Sequence, residues 1–116
     1  MNGERELKKG STPALILAVL AEAPLHGYGI AREIERRSAD ALKMGEGTLY
    51  PALRTLEQDG FIKGEWELQM SGPARKVYHL TESGHAELDR HKSAWRQFTS
   101  AVDAVFGGGA PDAEVA

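Results

Sequence analysis

The chain has 116 residues, 41% of them hydrophobic, with 14 Lys and Arg against 17 Asp and Glu and no cysteine. That length allows one compact domain plus an additional element, and the missing cysteine excludes disulfides, thiolate metal sites and cysteine nucleophiles together. No apolar run approaches the roughly 18 residues a membrane span needs, and the opening MNGERELKKG lacks the apolar region of a secretory signal, so a cytoplasmic location is expected.

Thr12-Pro13 reads as a helix start, with a hydroxyl at the N-cap and proline at the first helical position. The helix that follows, to about Ala23, carries Leu15, Ile16, Leu17, Val19 and Leu20. It is apolar nearly all round and must be covered on more than one side, by the core and by a second layer that another subunit could supply. Pro24 stops it, and Leu25 to Gly29 makes a tight connection. A second helix is predicted over about Gly27 to Ser38, with Ile30 and Ile34 inward and Arg32, Glu33, Arg36 and Arg37 on the other face. Lys43 to Gly45 is read as a one-bond strand.

The run GEGTLYPALRTLEQDGFIKGEW, Gly45 to Trp66, is the most informative stretch. A third helix begins near Thr48, tolerates Pro51 in its first turn and ends at Gly60. Leu49, Leu53 and Leu56 share one face; Thr48, Tyr50, Arg54 and Thr55 take the other. Hydroxyls, a phenol and a guanidinium on a short helix suit a DNA major groove, because they hydrogen-bond base edges and phosphates. Phe61 to Leu68 and Lys76 to Leu80 read as antiparallel strands around a turn at Gln69 to Ala74, and the basic Arg75-Lys76 sits where a wing would be.

Thr81 caps a last helix over about Glu82 to Phe106. Leu88, Trp95 and Val102 recur every seven residues, with His91, Phe98 and Val105 at the other seam position. At 1.5 Å per residue such a helix is about 37 Å long, more than a small winged domain covers, so it is read as pairing with the same helix of a second chain. GGGAPDAEVA is expected to be a disordered tail.

Charge argues mildly against nucleic acid. Lys and Arg stand against Asp and Glu as 8 to 9 over residues 1–60, 3 to 2 over residues 61–81, and 3 to 6 over residues 82–116. The acid excess is thus mainly C-terminal, and non-specific DNA affinity should be modest. A protein-gripping winged-helix module is the competing reading, and salt-sensitive duplex binding separates the two. An enzyme is not expected: there is no GxSxG, no Walker-type loop and no base-and-nucleophile set. The four histidines, His26, His79, His85 and His91, find no ligand set at a metal spacing, so neither metal nor cofactor is expected.

The blocks LILAVLAEAPLHGYGIAREIE, GEGTLYPALRTLEQDGFIKGEW and GPARKVYHLTESG, in that order, resemble the PadR family of bacterial winged-helix transcriptional regulators, over about Gly10 to Leu88. The length and single C-terminal helix look like the short branch of that family. The resemblance implies a mainly α fold with a small β-wing: a winged helix-turn-helix over residues 1–81, a dimerisation helix over 82–106 and a tail over 107–116. It implies a homodimer on double-stranded DNA, with third helices in successive major grooves and wings on the flanking backbone. It also implies a repressor, often of its own operon, released by a small-molecule effector or another signal. The wing departs from the usual pattern at His79, which takes a place commonly basic.

The candidate DNA contacts are Tyr28, Lys43, Thr48, Tyr50, Pro51, Arg54, Thr55, Arg75 and Lys76. Against that, Thr48 could be only an N-cap, Tyr50 could pack on the second helix, and Arg75 and Lys76 could be a solvated strand end. The candidate dimer seam is Leu88, His91, Trp95, Phe98, Val102 and Val105. Trp95 either packs in that seam or, as in some multidrug-sensing members of the family, stacks on a planar effector between subunits.

Overall fold

The computed structural model describes the backbone of residues 2–107 and the side chains of residues 10–107. The predicted tail lies, from residue 108 onward, outside the described residues. The elements run α1 (Asn2–Leu20), β1 (Leu25–His26), α2 (Gly27–Arg37), α3 (Glu46–Gln58), β2 (Ile62–Glu67), β3 (Arg75–Leu80) and α4 (Glu82–Phe106). The chain is mainly helical with one antiparallel sheet, ordered β1-β3-β2.

α1 is the central helix. Ile16, Leu17, Val19 and Leu20 are buried, and the helix meets α2, α3, α4 and β3. Its apolar circumference is thus covered largely by elements of its own chain. The predicted start at Thr12-Pro13 is corrected: the helix begins at Asn2 and Pro13 lies inside it. The upstream residues Glu4 to Lys9 are good helix formers. Proline removes one backbone donor, which a helix packed on several sides tolerates.

The predicted bridge at Lys43 to Gly45 is also corrected. The third strand is instead β1, where Leu25 pairs with Tyr78 and His26 with Val77. Residues 43–45 form a loop leading to α3. The α2–α3 connection is fixed upstream by Ser38, whose hydroxyl donates to the Ile34 carbonyl (2.9 Å) and accepts from the Leu42 amide (3.0 Å). Ala39 and Asp40 follow in left-handed backbone, with φ of 50° and 66°.

Two of the three arginines of α2, Arg36 and Arg37, are paired with carboxylates of the chain. The Glu33 carboxylate accepts from Arg36 Nε (2.9 Å) and Arg37 Nε (2.7 Å), and Arg37 also reaches Glu22 (3.1 Å). The Arg36 hydrogen bonds, then those from Arg37, hold the Glu33 carboxyl down at about 2, against an ordinary value of 4.5. A depressed carboxyl stabilises the fold fully above its unfolded value and progressively less as acid protonates it. Glu33→Gln should therefore lower the thermal midpoint at pH 6 and narrow its gap to the native protein as pH falls from 4.5 towards 2. Midpoints recorded across that range decide this; a gap that does not narrow removes the clamp.

α3 buries Leu49, Leu53 and Leu56 against α1 and the sheet. Gly60, at φ 81°, turns the chain out of it, as glycine readily does. β2 and β3 pair from Ile62↔Leu80 to Glu67↔Arg75, and the wing turn lies beyond. Thr81 caps α4: its hydroxyl accepts from the Gly84 amide (3.0 Å) and donates to the Gly60 carbonyl (2.7 Å). α4 ends on Gly107 in the left-handed region. Among the described residues those of α4 that are buried, Gly84 and Leu88, lie in its first turns.

Candidate nucleic-acid interface

Leu49, Leu53 and Leu56 anchor one side of α3 in the core, and helical spacing then carries the intervening residues to the other side. Thr48, Tyr50, Pro51, Arg54 and Thr55 are all exposed there. The start of the helix differs from expectation. Gly45 is the N-cap and Glu46 opens the first turn, while the Thr48 and Leu49 amides bond the Gly45 carbonyl at 3.1 and 2.9 Å. Thr48 is therefore a helical residue whose hydroxyl is not used as the cap. Pro51 falls past the first turn, inside the helix. Its ring deprives the Gly47 carbonyl of its usual intrahelical donor on the exposed side. The Thr55 hydroxyl donates to the Pro51 carbonyl (3.1 Å).

Tyr50 has two surroundings. Its ring edge lies against Gly27 at the start of α2, where a Cβ would come within 2.8 Å of the phenol oxygen, and the ring remains 41% exposed. A side chain at position 27 would displace it, so Gly27 shapes the outer face of α3 from α2. Tyr28, one residue on, is 61% exposed. Its hydroxyl accepts from Arg32 Nη1 (2.8 Å), and the same guanidinium lies 5.6 Å from the ring centroid.

The cations around α3 divide into two sets. Arg32, Arg36 and Arg37 are engaged within α2 and with Glu22. Among the described residues Lys43 in the loop before α3, Arg54 on α3 itself and Arg75 at the start of β3 make no ion pair and are exposed. Lys76, the other wing cation, turns inward: Nζ is 3.0 Å from Glu57 Oε1 and 5.5 Å from the Tyr78 ring centroid. Its hydrogen bond to Glu57 is the main reason its pKa is raised. Burial, and then the charge of Arg75, lower that of His26 on β1. His79 Nε2 lies 3.2 Å from Glu65 Oε1, in a geometry that makes no hydrogen bond.

A family model described as "Transcriptional regulator PadR-like family" matches residues 16–90, which include α2, α3 and the wing whole. The chain belongs to the PadR family. It is 32% identical over 98 residues to transcriptional regulator Rv3488 of Mycobacterium tuberculosis, covering 84% of this chain and 88% of that one. A PadR family regulator of Clostridium difficile shares its fold at a TM-score of 0.71 with 33% identity, over 84% of this chain and 99% of that chain. The negative transcriptional regulator PadR of Bacillus subtilis is 32% identical over 73 residues; there the match takes in 63% of this chain but 40% of the relative.

PadR membership makes the protein a winged-helix, DNA-binding transcriptional regulator rather than an enzyme. Among the described residues, no helix is long and apolar enough to cross a membrane.

The predicted seam residues of α4 fall into two groups. Leu88 is buried in the chain's own core, and His91 is half-buried with Nε2 3.2 Å from Glu87 Oε2. Leu88 is therefore not presented to a partner, because the first turns of α4 are used up against the domain. Beyond them Trp95 and Phe98 are each 52% exposed and Val105 84%, with Val102 half-buried between. The Trp95 and Phe98 rings lie 5.9 Å apart, tilted by 37°. Two contributors were not singled out by sequence reasoning: Glu57, whose partner Lys76 is 19 residues away and leaves no local signal, and Gly64. A glycine in mid-strand does signal a close approach, and here Lys76 passes over it.

Proposed function

We propose that this protein is a homodimeric, sequence-specific repressor of the bacterial cytoplasm, acting on its own operon and released by a signal read at the paired α4 helices. The exposed polar face of α3, with Arg54 on it and Lys43 and Arg75 likewise exposed and without an ion pair among the described residues, carries the reading. Thr48, Tyr50, Pro51, Arg54 and Thr55 enter the major groove, while Tyr28, Lys43 and the wing meet backbone. The name of the B. subtilis relative, a negative regulator, supports repression.

Dimerisation through Trp95, Phe98, Val102 and Val105 sets two α3 helices about one DNA turn apart, on half-sites roughly 10 bp from centre to centre. An effector that favours a different angle between the α4 helices lowers operator affinity only by its preference for that angle. The tilted Trp95–Phe98 pair offers planar molecules a stacking surface at the dimer axis. Planar cationic dyes should quench Trp95 saturably in a Trp66→Phe background, and absence of saturation removes the effector site.

Fluorescence anisotropy on the duplex upstream of the protein's own gene, against a scrambled duplex at two salt concentrations, tests the whole reading. Tighter, salt-weakened binding to the native duplex supports it. No binding at low salt shifts the assignment to a protein-interaction module. Within that system Arg54→Ala should cost about 1–3 kcal/mol of specific binding and relax preference at one base pair. Unchanged affinity and preference take Arg54 out of the interface.

A further inference from the structure

We propose that Glu57 is a positioning residue for DNA binding: it clamps the wing to the reading helix through Lys76 and the Gly64 amide, so that Lys76 aims the wing instead of touching phosphate. This rests on the DNA-binding reading above. Glu57 stands in the last turn of α3, on the sheet side of the face that carries Arg54. One carboxylate oxygen accepts from Lys76 Nζ at 3.0 Å and the other from the Gly64 amide at 3.3 Å. A single side chain of α3 thereby holds both strands of the wing.

Gly64 makes the crossing possible. Lys76 runs over its Cα, where a Cβ would collide with Lys76 Cε and come within 3.1 Å of Glu57 Oε2. The ammonium ends over the Tyr78 ring. Isolated surface ion pairs contribute little to stability, but this one joins three elements at the place where the wing's angle to α3 is set. Arg75, on the neighbouring residue and opposite Glu67, is left to meet backbone.

The two roles for Lys76 predict opposite signs. If Lys76 contacted phosphate, Glu57→Gln would remove a nearby negative charge, free the lysine and tighten binding. A clamp predicts weaker binding. Gly64→Ala asks the same with every charge kept, because the displaced atoms belong to the flexible end of Lys76, which can swing aside without unfolding the strand.

Anisotropy titrations of the full-length protein on its operator duplex, across a salt series, should show Glu57→Gln and Gly64→Ala each weakening binding by roughly tenfold. Thermal midpoints should stay near the native value. Lys76→Met should weaken binding with an unchanged salt slope, whereas Arg75→Ala should lower the slope by about 0.9. The Glu57→Gln/Lys76→Met pair should be no weaker than either single variant. Unchanged or tighter binding by Gly64→Ala or by folded Glu57→Gln overturns the clamp, as does a slope lowered by Lys76→Met. Absence of native binding overturns the DNA reading, and the clamp with it.

Discussion

Replacing Trp95 and Phe98 together with glutamate should convert the proposed dimer to monomer and weaken operator binding by about 10²-fold or more, since linked half-sites gain roughly 10²–10⁴ in avidity. Both rings are half exposed, so no core of the single chain is lost with them. They continue through Val102 to Val105, the spacing at which side chains share one face of a helix. Soluble monomers rarely leave such a contiguous apolar stripe uncovered. Two glutamates per chain would face two more across the axis, adding charge repulsion to lost packing. Sedimentation should report half the native mass while far-ultraviolet circular dichroism keeps its helical signal. A variant that stays dimeric with native affinity would show that α4 pairs elsewhere or not at all.

The parts of the fold most legible in the sequence were those with a repeating cause. The Leu49, Leu53 and Leu56 stripe, the Thr81 cap and Gly107 beyond Phe106 placed α3 and α4, and the observed α4 ends at the predicted residues. Signals that compete locally misled. Thr12-Pro13 is a good helix start in isolation, yet helix-forming residues upstream carry α1 through it. Gly45 took the cap position that Thr48 also fitted. β1 has two residues and no periodicity of its own; it exists because β3 offers Tyr78 and Val77 an unpaired edge. The candidate DNA face was readable because exposure on α3 follows from what its opposite side buries. Lys76 was not, because its charge is answered by Glu57 on another element, and pairing across 19 residues leaves no mark on local spacing. The same limit applies to Leu88, which fits the heptad but is held in the core by α4's seat on α1.

That seat supplies the other large expected effect. Gly84→Ala should lower stability by about 2–3 kcal/mol, through overpacking that cannot relax. For a domain of this size that is a fall of roughly 10 °C in thermal midpoint. On helix propensity alone the sign would be reversed, because alanine is about 1 kcal/mol better than glycine in a helix interior. What opposes it is the junction. A Cβ at position 84 would collide with the Phe61 carbonyl oxygen, stand 3.0 Å from its carbon and reach within 2.6 Å of Leu80 Cδ1. The Phe61 carbonyl belongs to backbone and already accepts from the Thr81 amide (3.1 Å). The Gly60 carbonyl beside it accepts from the Thr81 and Ser83 hydroxyls. The obstacle therefore cannot swing away as a lysine tip can; the first turn of α4 must lift. Lifting it tilts α4 against α3, so operator affinity should fall even well below the midpoint, where the variant is folded. Calorimetry and anisotropy on the same sample separate the two consequences. A variant as stable as the native chain would show that α4 does not lean on the end of α3 at this glycine, and native affinity with reduced stability would uncouple that seat from the spacing of the reading helices.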